Sequence, residues 1–302
     1  MRQGLAAVDG FAARRVLILA PHPDDEIVAC GIAAARAVAA GSRVFVLHLT
    51  TGVPEREAFW PWQRAGHPAR LRRRRAEAEA AAALLRLEST GFLPWPSRRL
   101  REHLDEAVTA IARALADCGA EALWVPAFEG AHQDHDAANA LAASFRNCLP
   151  VWEFAAYNFA GGRVNSNRFP AENGGEVVLY LGPAEIAQKR QALACYASER
   201  GNLAHIRVEH EACRPLAPRD YGMPPHPGKR FRERFHWVPF RHPRIDFTPS
   251  AEVYAVLGHW ASLADGGGVS ALSEPPSGEP GQADRELAGA LDQTQSERGL
   301  GR

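Results

Sequence analysis

This 302-residue chain contains no Cys-x-x-Cys pair, and its five cysteines, Cys30, Cys118, Cys148, Cys195 and Cys213, are odd in number and widely spaced. That excludes a disulfide framework and a structural zinc knuckle, and predicts reduced, mostly buried thiols. Charge of one sign is not in excess either. Lys plus Arg and Asp plus Glu stand at 35 each, so no global field draws the protein to nucleic acid or to an anionic membrane. No apolar run approaches the roughly 20 residues of a membrane span, and the run over 16–20 is stopped at Pro21 before it reaches the length of a signal-peptide core. The expectation is a cytoplasmic protein without a transmembrane segment; the sequence is compatible with a homo-oligomer. Also missing is a Gly-x-Gly-x-x-Gly turn after the first strand-like run, where carboxylates stand that would repel a pyrophosphate. This argues against a dinucleotide-binding domain.

What is present is a hydrophobic content of 46%, enough for one large α/β domain with extensions. Apolar runs over 16–20, 44–49, 91–95 and 122–125 read as strands, and alanine- and leucine-rich stretches over 25–40, 70–87, 100–116 and 134–147 read as helices. Their alternation predicts βαβ units and a mostly parallel sheet covered on both faces. After Pro150 the pattern changes. Strands over 151–157 and 176–181 flank a Gly/Asn-rich stretch, which predicts antiparallel additions at the sheet edge, and 184–196 reads as one more helix. The Pro-, Arg- and His-rich stretch over 205–244 shows little periodicity and predicts irregular structure. The expected organisation is one domain over 1–262 and a disordered tail over 263–302, whose last part is poor in large apolar residues.

Two clusters carry the chemistry: Pro21-His22-Pro23-Asp24-Asp25-Glu26 and His132-Gln133-Asp134-His135. Each follows a strand, so adjacent parallel strands would bring both to one edge of the sheet, where open α/β folds place ligand sites. His22, Asp25 and His135 would then surround one cation. Two imidazoles and a carboxylate suit Zn²⁺, and three protein ligands leave a fourth position for water, the catalytic pattern. Asp24 lies between two of the ligands and stays free as a base. Each cluster alone has a plainer reading. Acidic residues commonly open helices, where they oppose the positive end of the dipole, and two histidines three apart are common in a chain with 12 of them. The joint pattern is the specific one.

These two motifs resemble the PIG-L/LmbE family of zinc-dependent N-deacetylases, whose hallmarks are His-Pro-Asp-Asp-Glu after the first strand and a later His-x-Asp-His. The resemblance spans roughly residues 14–200. It implies a Rossmann-like three-layer fold, zinc on His22, Asp25 and His135, Asp24 as general base, His132 near the leaving amine and Asp134 orienting it. It also implies an N-acetylglucosamine-type amino sugar, or its conjugate, as substrate. The helix carrying Arg74 and Arg75 is similar to a family stretch that presents an arginine to substrate, with the choice between the two open. Tyr196 and Glu199 stand where many members have His and Gln, and Gln133 where many have Pro; Tyr196 is a further candidate for substrate contact. The basic run around Arg70 and Arg72–Arg75 is read either as a solvated helix face or as a substrate contact. Trp60, Trp62 and Trp95 are read either as core or as platforms for sugar rings. Within the enzyme class the alternatives are a zinc amidase acting on a thiol–sugar or other amide conjugate and a metal-dependent phosphoesterase. Outside it stands a non-catalytic carbohydrate-binding module.

Overall fold

The computed structural model describes residues 13–231, 233, 245 and 247–267. Strand β1 (Arg15–Ala20) is buried from Val16 onward on both faces, as its unbroken apolar run requires. Helix α1 (Asp25–Ala39), β2 (Arg43–His48), α2 (His67–Leu85), β3 (Glu88–Phe92), α3 (Leu104–Cys118), β4 (Ala122–Pro126) and α4 (Gln133–Ala143) follow in strict alternation. Then come β5 (Val151–Phe154), the short pair β6 (Tyr157–Asn158) and β7 (Asn165–Ser166), β8 (Val177–Tyr180), α5 (Pro183–Cys195), α6 (Arg200–Leu203), β9 (His210–Pro215) and α7 (Ser250–Gly267).

The main sheet has seven strands in the order β3-β2-β1-β4-β5-β9-β8. The five strands from β3 to β5 run parallel, while β9 pairs antiparallel with both β5 and β8. This is the expected α/β architecture, with antiparallel additions after residue 150. Helices α1, α2 and α5 pack on one another, and α4 packs on both α3 and α7. The chain builds outward from β1 to β2 and β3, then returns to lay β4 on the other side of β1. That reversal creates a crevice beyond the carboxyl ends of β1 and β4.

Four elements depart from expectation. Strand β3 begins at Glu88 and ends at Phe92, earlier than the apolar run over 91–95: at a sheet edge polar Glu88 and Ser89 pair on β2 at no cost of burial, and the register skips Thr90. Helix α1 is broken at Cys30 (φ −145°, ψ 23°) where one continuous helix was expected. Strand β9 lies within the stretch read as irregular. Its inward residues Glu211 and Arg214 are charged and paired, so no apolar alternation marks it. Helix α7 reaches Gly267, five residues past the boundary expected at 262. Residues 268–302 of the expected tail, and residues 232, 234–244 and 246, lie outside the described residues.

Candidate metal centre

Both clusters lie in the crevice between β1 and β4. One possible ligand atom each from His22, Asp25 and His135 falls within 4.8 Å of the other two, and all three residues are buried. Asp25 sits at the centre. Its Oδ2 accepts the His22 backbone N–H at 2.8 Å and lies 3.0 Å from His22 Nδ1, and its Oδ1 is 3.1 Å from His135 Nε2. That last nitrogen is buried and makes no hydrogen bond despite the short distance. With two imidazoles and a carboxylate converging and one buried nitrogen left without a hydrogen bond, the residues present could hold a metal of the zinc type. The electrostatics agree. Burial would raise Asp25, but the charges of His135 and His22 hold it well below the usual carboxylate range. Burial would lower His22, but Asp25 and Asp134 push it up to about 10, marking a spot that favours positive charge.

Asp24 is held differently. Its backbone adopts φ 131°, a strained conformation for a residue with a Cβ. Its carboxylate does not cap α1, although its carbonyl accepts the Ile27 and Val28 N–H groups. Instead Oδ2 accepts Arg74 Nη2 at 3.1 Å, and the same nitrogen bonds the Pro23 carbonyl. Gly52 (φ 67°) makes room for this arginine, since a Cβ there would lie 2.6 Å from Pro23 Cδ and 3.1 Å from Arg74 Nε. Glu26 stabilises the strained turn from behind, accepting the Asp24 N–H at 3.1 Å and the buried Tyr196 hydroxyl. Burial pushes the Asp24 carboxyl up to about 8, with Arg74 opposing.

One expected partnership, Asp134 orienting His132, is redistributed. Asp134 does not hydrogen-bond the His132 ring through its carboxylate; it lies 2.9 Å from His22 Nε2 and 3.8 Å from His132 Nδ1. Its other contacts are the Arg98 N–H at 2.6 Å and the Leu100 N–H at 3.2 Å. The His22 bond, with its neighbours, holds Asp134 down at about 2 against burial. His132 Nδ1 instead accepts the Asp134 backbone N–H at 3.1 Å. Burial and the adjacent His22 push His132 well below the usual imidazole range.

Of the proposed substrate contacts, only Arg74 reaches the centre. Arg75 turns outward over Phe92, beside Glu79. Tyr196 is fully buried behind Glu26 and Arg74. The rest of the basic run is a solvated face, with Arg73 paired to Glu77. Trp62 is 75% exposed and stacks on Trp60, and Trp95 stacks on His103. Trp60 and Phe59 line a cavity of about 710 Å³ that also touches Arg98, the residue whose N–H binds Asp134. Among the residues no motif marked, Arg98 (φ 78°) is held in a strained turn to deliver that N–H.

The described residues thus form a Rossmann-like parallel sheet with a His-Asp-His set at its switch point that could hold a metal ion. Residues 17–145 match the family model described as PIG-L: GlcNAc-PI de-N-acetylase. No curated protein matches the sequence significantly. Among solved structures, a deacetylase triple mutant of the teicoplanin biosynthetic pathway aligns at TM-score 0.54 and 22% identity over 67% of this chain and 97% of that one. A deacetylase–teicoplanin complex aligns at 0.52 and 20%, over 67% and 97%. A pseudoaglycone deacetylase for an antimicrobial reagent aligns at 0.53 and 18%, over 68% and 99%. At such identities the likeness is one of fold. No helix among the described residues is long and apolar enough to cross a membrane.

Proposed function

We propose that this protein is a zinc-dependent hydrolase that removes the N-acetyl group from an N-acetylglucosamine-type amino sugar or its conjugate. The observation that carries the reading is the convergence of His22, Asp25 and His135 beside a carboxylate, Asp24, that is not itself part of the set. His22, Asp25 and His135 would hold the zinc, which when bound would supply a water activated near neutral pH and a Lewis acid for the acyl carbonyl.

The chain's own residues then divide the work. Asp134 accepts His22 Nε2–H, which fixes the ring and leaves Nδ1, beside Asp25, for the metal; a carboxylate behind a ligating histidine is the usual support of such sites. Asp24, oriented by Arg74, takes the proton of the attacking water. His132 cannot carry a proton on Nδ1 while that nitrogen accepts a backbone N–H, so its proton sits on Nε2. It therefore acts as a neutral donor to the developing oxyanion, and Asp24 returns the proton to the departing nitrogen. The PIG-L match and the deacetylase folds among the neighbours support the reaction class. The cavity lined by Phe59 and Trp60 also touches Arg98, whose N–H meets Asp134, and would take the part of a conjugate that lies beyond the sugar.

The test is acetate release from N-acetylglucosamine derivatives, including lipid-linked, glycoside and teicoplanin-type pseudoaglycone forms, with chelator and with zinc added back. Release that stops with chelator and returns with zinc is expected. Release indifferent to chelator, or none from any amino sugar, overturns the reading.

A further inference from the structure

The PIG-L match ends at residue 145, yet the loop that delivers the second motif is held from outside it. Asp136, the residue after His135, is fully buried. Its Oδ1 accepts the Glu129 and Gly130 N–H groups, both at 3.0 Å, which closes the turn between β4 and α4. Its Oδ2 accepts the hydroxyl of Tyr254 on α7 at 3.1 Å. The tyrosine ring is itself fixed, edge-on to Phe128 and stacked on Phe231. The same turn is gripped twice more, by His226 Nε2–H on the Glu129 carbonyl at 2.9 Å and by the Phe231 N–H on the Gly130 carbonyl at 3.0 Å. Gly130 (φ 68°) allows this contact: a Cβ there would stand 2.9 Å from Arg230 Cγ and 3.2 Å from the Tyr254 oxygen.

We propose that Tyr254 is a positioning residue for the metal centre: through Asp136 its hydroxyl sets the first turn of α4 and hence where His132 and His135 stand. The inference rests on the reading of His22, Asp25 and His135 as metal ligands. Its alternative is that Tyr254 merely adds stability, and Tyr221 supplies the comparison. That hydroxyl also donates to a buried acceptor of α4, Asn139 Oδ1 at 2.8 Å, but on a part of the helix beyond the ligands.

The experiment is zinc affinity by chelator competition on the full-length wild type, Tyr254→Phe and Tyr221→Phe, with thermal midpoints alongside. Loss of a group behind a metal ligand weakens binding about 10- to 100-fold. Tyr254 acts one residue further removed, so its variant is expected to raise the zinc Kd about fivefold and lower kcat with KM little changed. Tyr221→Phe is expected to leave the Kd within twofold whatever its thermal midpoint. An unchanged Kd in Tyr254→Phe, or an equal rise in Tyr221→Phe, overturns the proposal. Should Tyr254→Phe not fold, the wild type decides. Coupling is reciprocal, so zinc must slow amide exchange in α7 around Val253–Leu257, and no slowing overturns it. Wild-type protein that takes up no zinc overturns the ligand reading as well; zinc uptake with an indifferent Tyr254→Phe overturns this inference alone.

Discussion

The two strand–helix junctions that meet at the metal centre solve the same problem by opposite means. At the first, between β1 and α1, the backbone is irregular: Asp24 has positive φ and the helix breaks at Cys30. The break frees the Ile32 and Ala33 N–H groups, and both are taken by the Glu211 carboxylate, at 2.9 and 2.7 Å, from a strand 179 residues away. Lys189 neutralises that carboxylate at 2.7 Å and caps the Val28 carbonyl at 3.0 Å. At the second, between β4 and α4, the helix is regular: the Asp136 carboxylate closes the turn before it, and the neutral hydroxyls of Tyr221 and Tyr254 brace the helix from outside. The first junction has its charge buried in the core to carry strain; the second is a straight helix held in place. In the proposed reaction the strained junction presents the base Asp24 together with the ligands His22 and Asp25, and the regular one presents the third ligand, His135.

The largest expected effect separates those two contributions. Asp24→Asn removes the base and leaves His22, Asp25 and His135 intact. It is expected to bind zinc stoichiometrically and lose about 10²- to 10⁴-fold in kcat. His135→Ala is expected to lose zinc and activity together. Metal content by atomic emission beside acetate release reads both. Equal zinc loss in the two variants would put Asp24 among the ligands and erase the division between junctions.

The same comparison explains what the amino-acid sequence discloses and what it conceals. His22, Asp24, Asp25, His132, Asp134 and His135 stand out because each group is contiguous and follows a strand, and parallel-sheet topology makes their approach legible from alternation alone. Arg74 is concealed because four arginines in a row on α2 are equivalent until the helix is rotated into place. The partner of Asp134 is concealed because the nearer histidine in sequence, His132, is not the one its carboxylate meets; His22 is 112 residues away. Strand β9 and the break at Cys30 conceal each other. Glu211, which takes up the N–H groups freed by the break, is also a residue that makes the strand look polar.

A second prediction probes the charge at the first junction. Removing one member of a buried pair leaves the other uncompensated and costs about 3–5 kcal/mol. Lys189→Met is therefore expected to lower the thermal midpoint by roughly 10 °C, given about 2–4 °C per kcal/mol in a chain of this size. Adding Glu211→Gln to Lys189→Met removes the stranded charge while leaving an amide oxygen for one of the freed N–H groups. The double variant should then melt close to, or above, the single one. Additive losses in this cycle would show that the pair does not act as a unit.

The smallest expected effect lies at the second junction and sets the scale for the first. Tyr221→Phe deletes one neutral hydroxyl from a buried hydrogen bond and keeps the ring against Phe128. A bond of this kind contributes about 1 kcal/mol net, and Asn139 keeps its contacts to the Pro126 carbonyl and Glu153 through Nδ2. The thermal midpoint should fall by about 2–4 °C, a fraction of the loss in Lys189→Met, with zinc affinity unaltered. The ratio matters more than either value. A helix whose own hydrogen bonds are complete needs only to be oriented, whereas a broken one needs its missing bonds replaced, here by a Glu211 carboxylate that takes two N–H donors through its two oxygens. Comparable losses at Tyr221 and Lys189 would mean that the break at Cys30 carries no special cost, and the contrast between the junctions would fail.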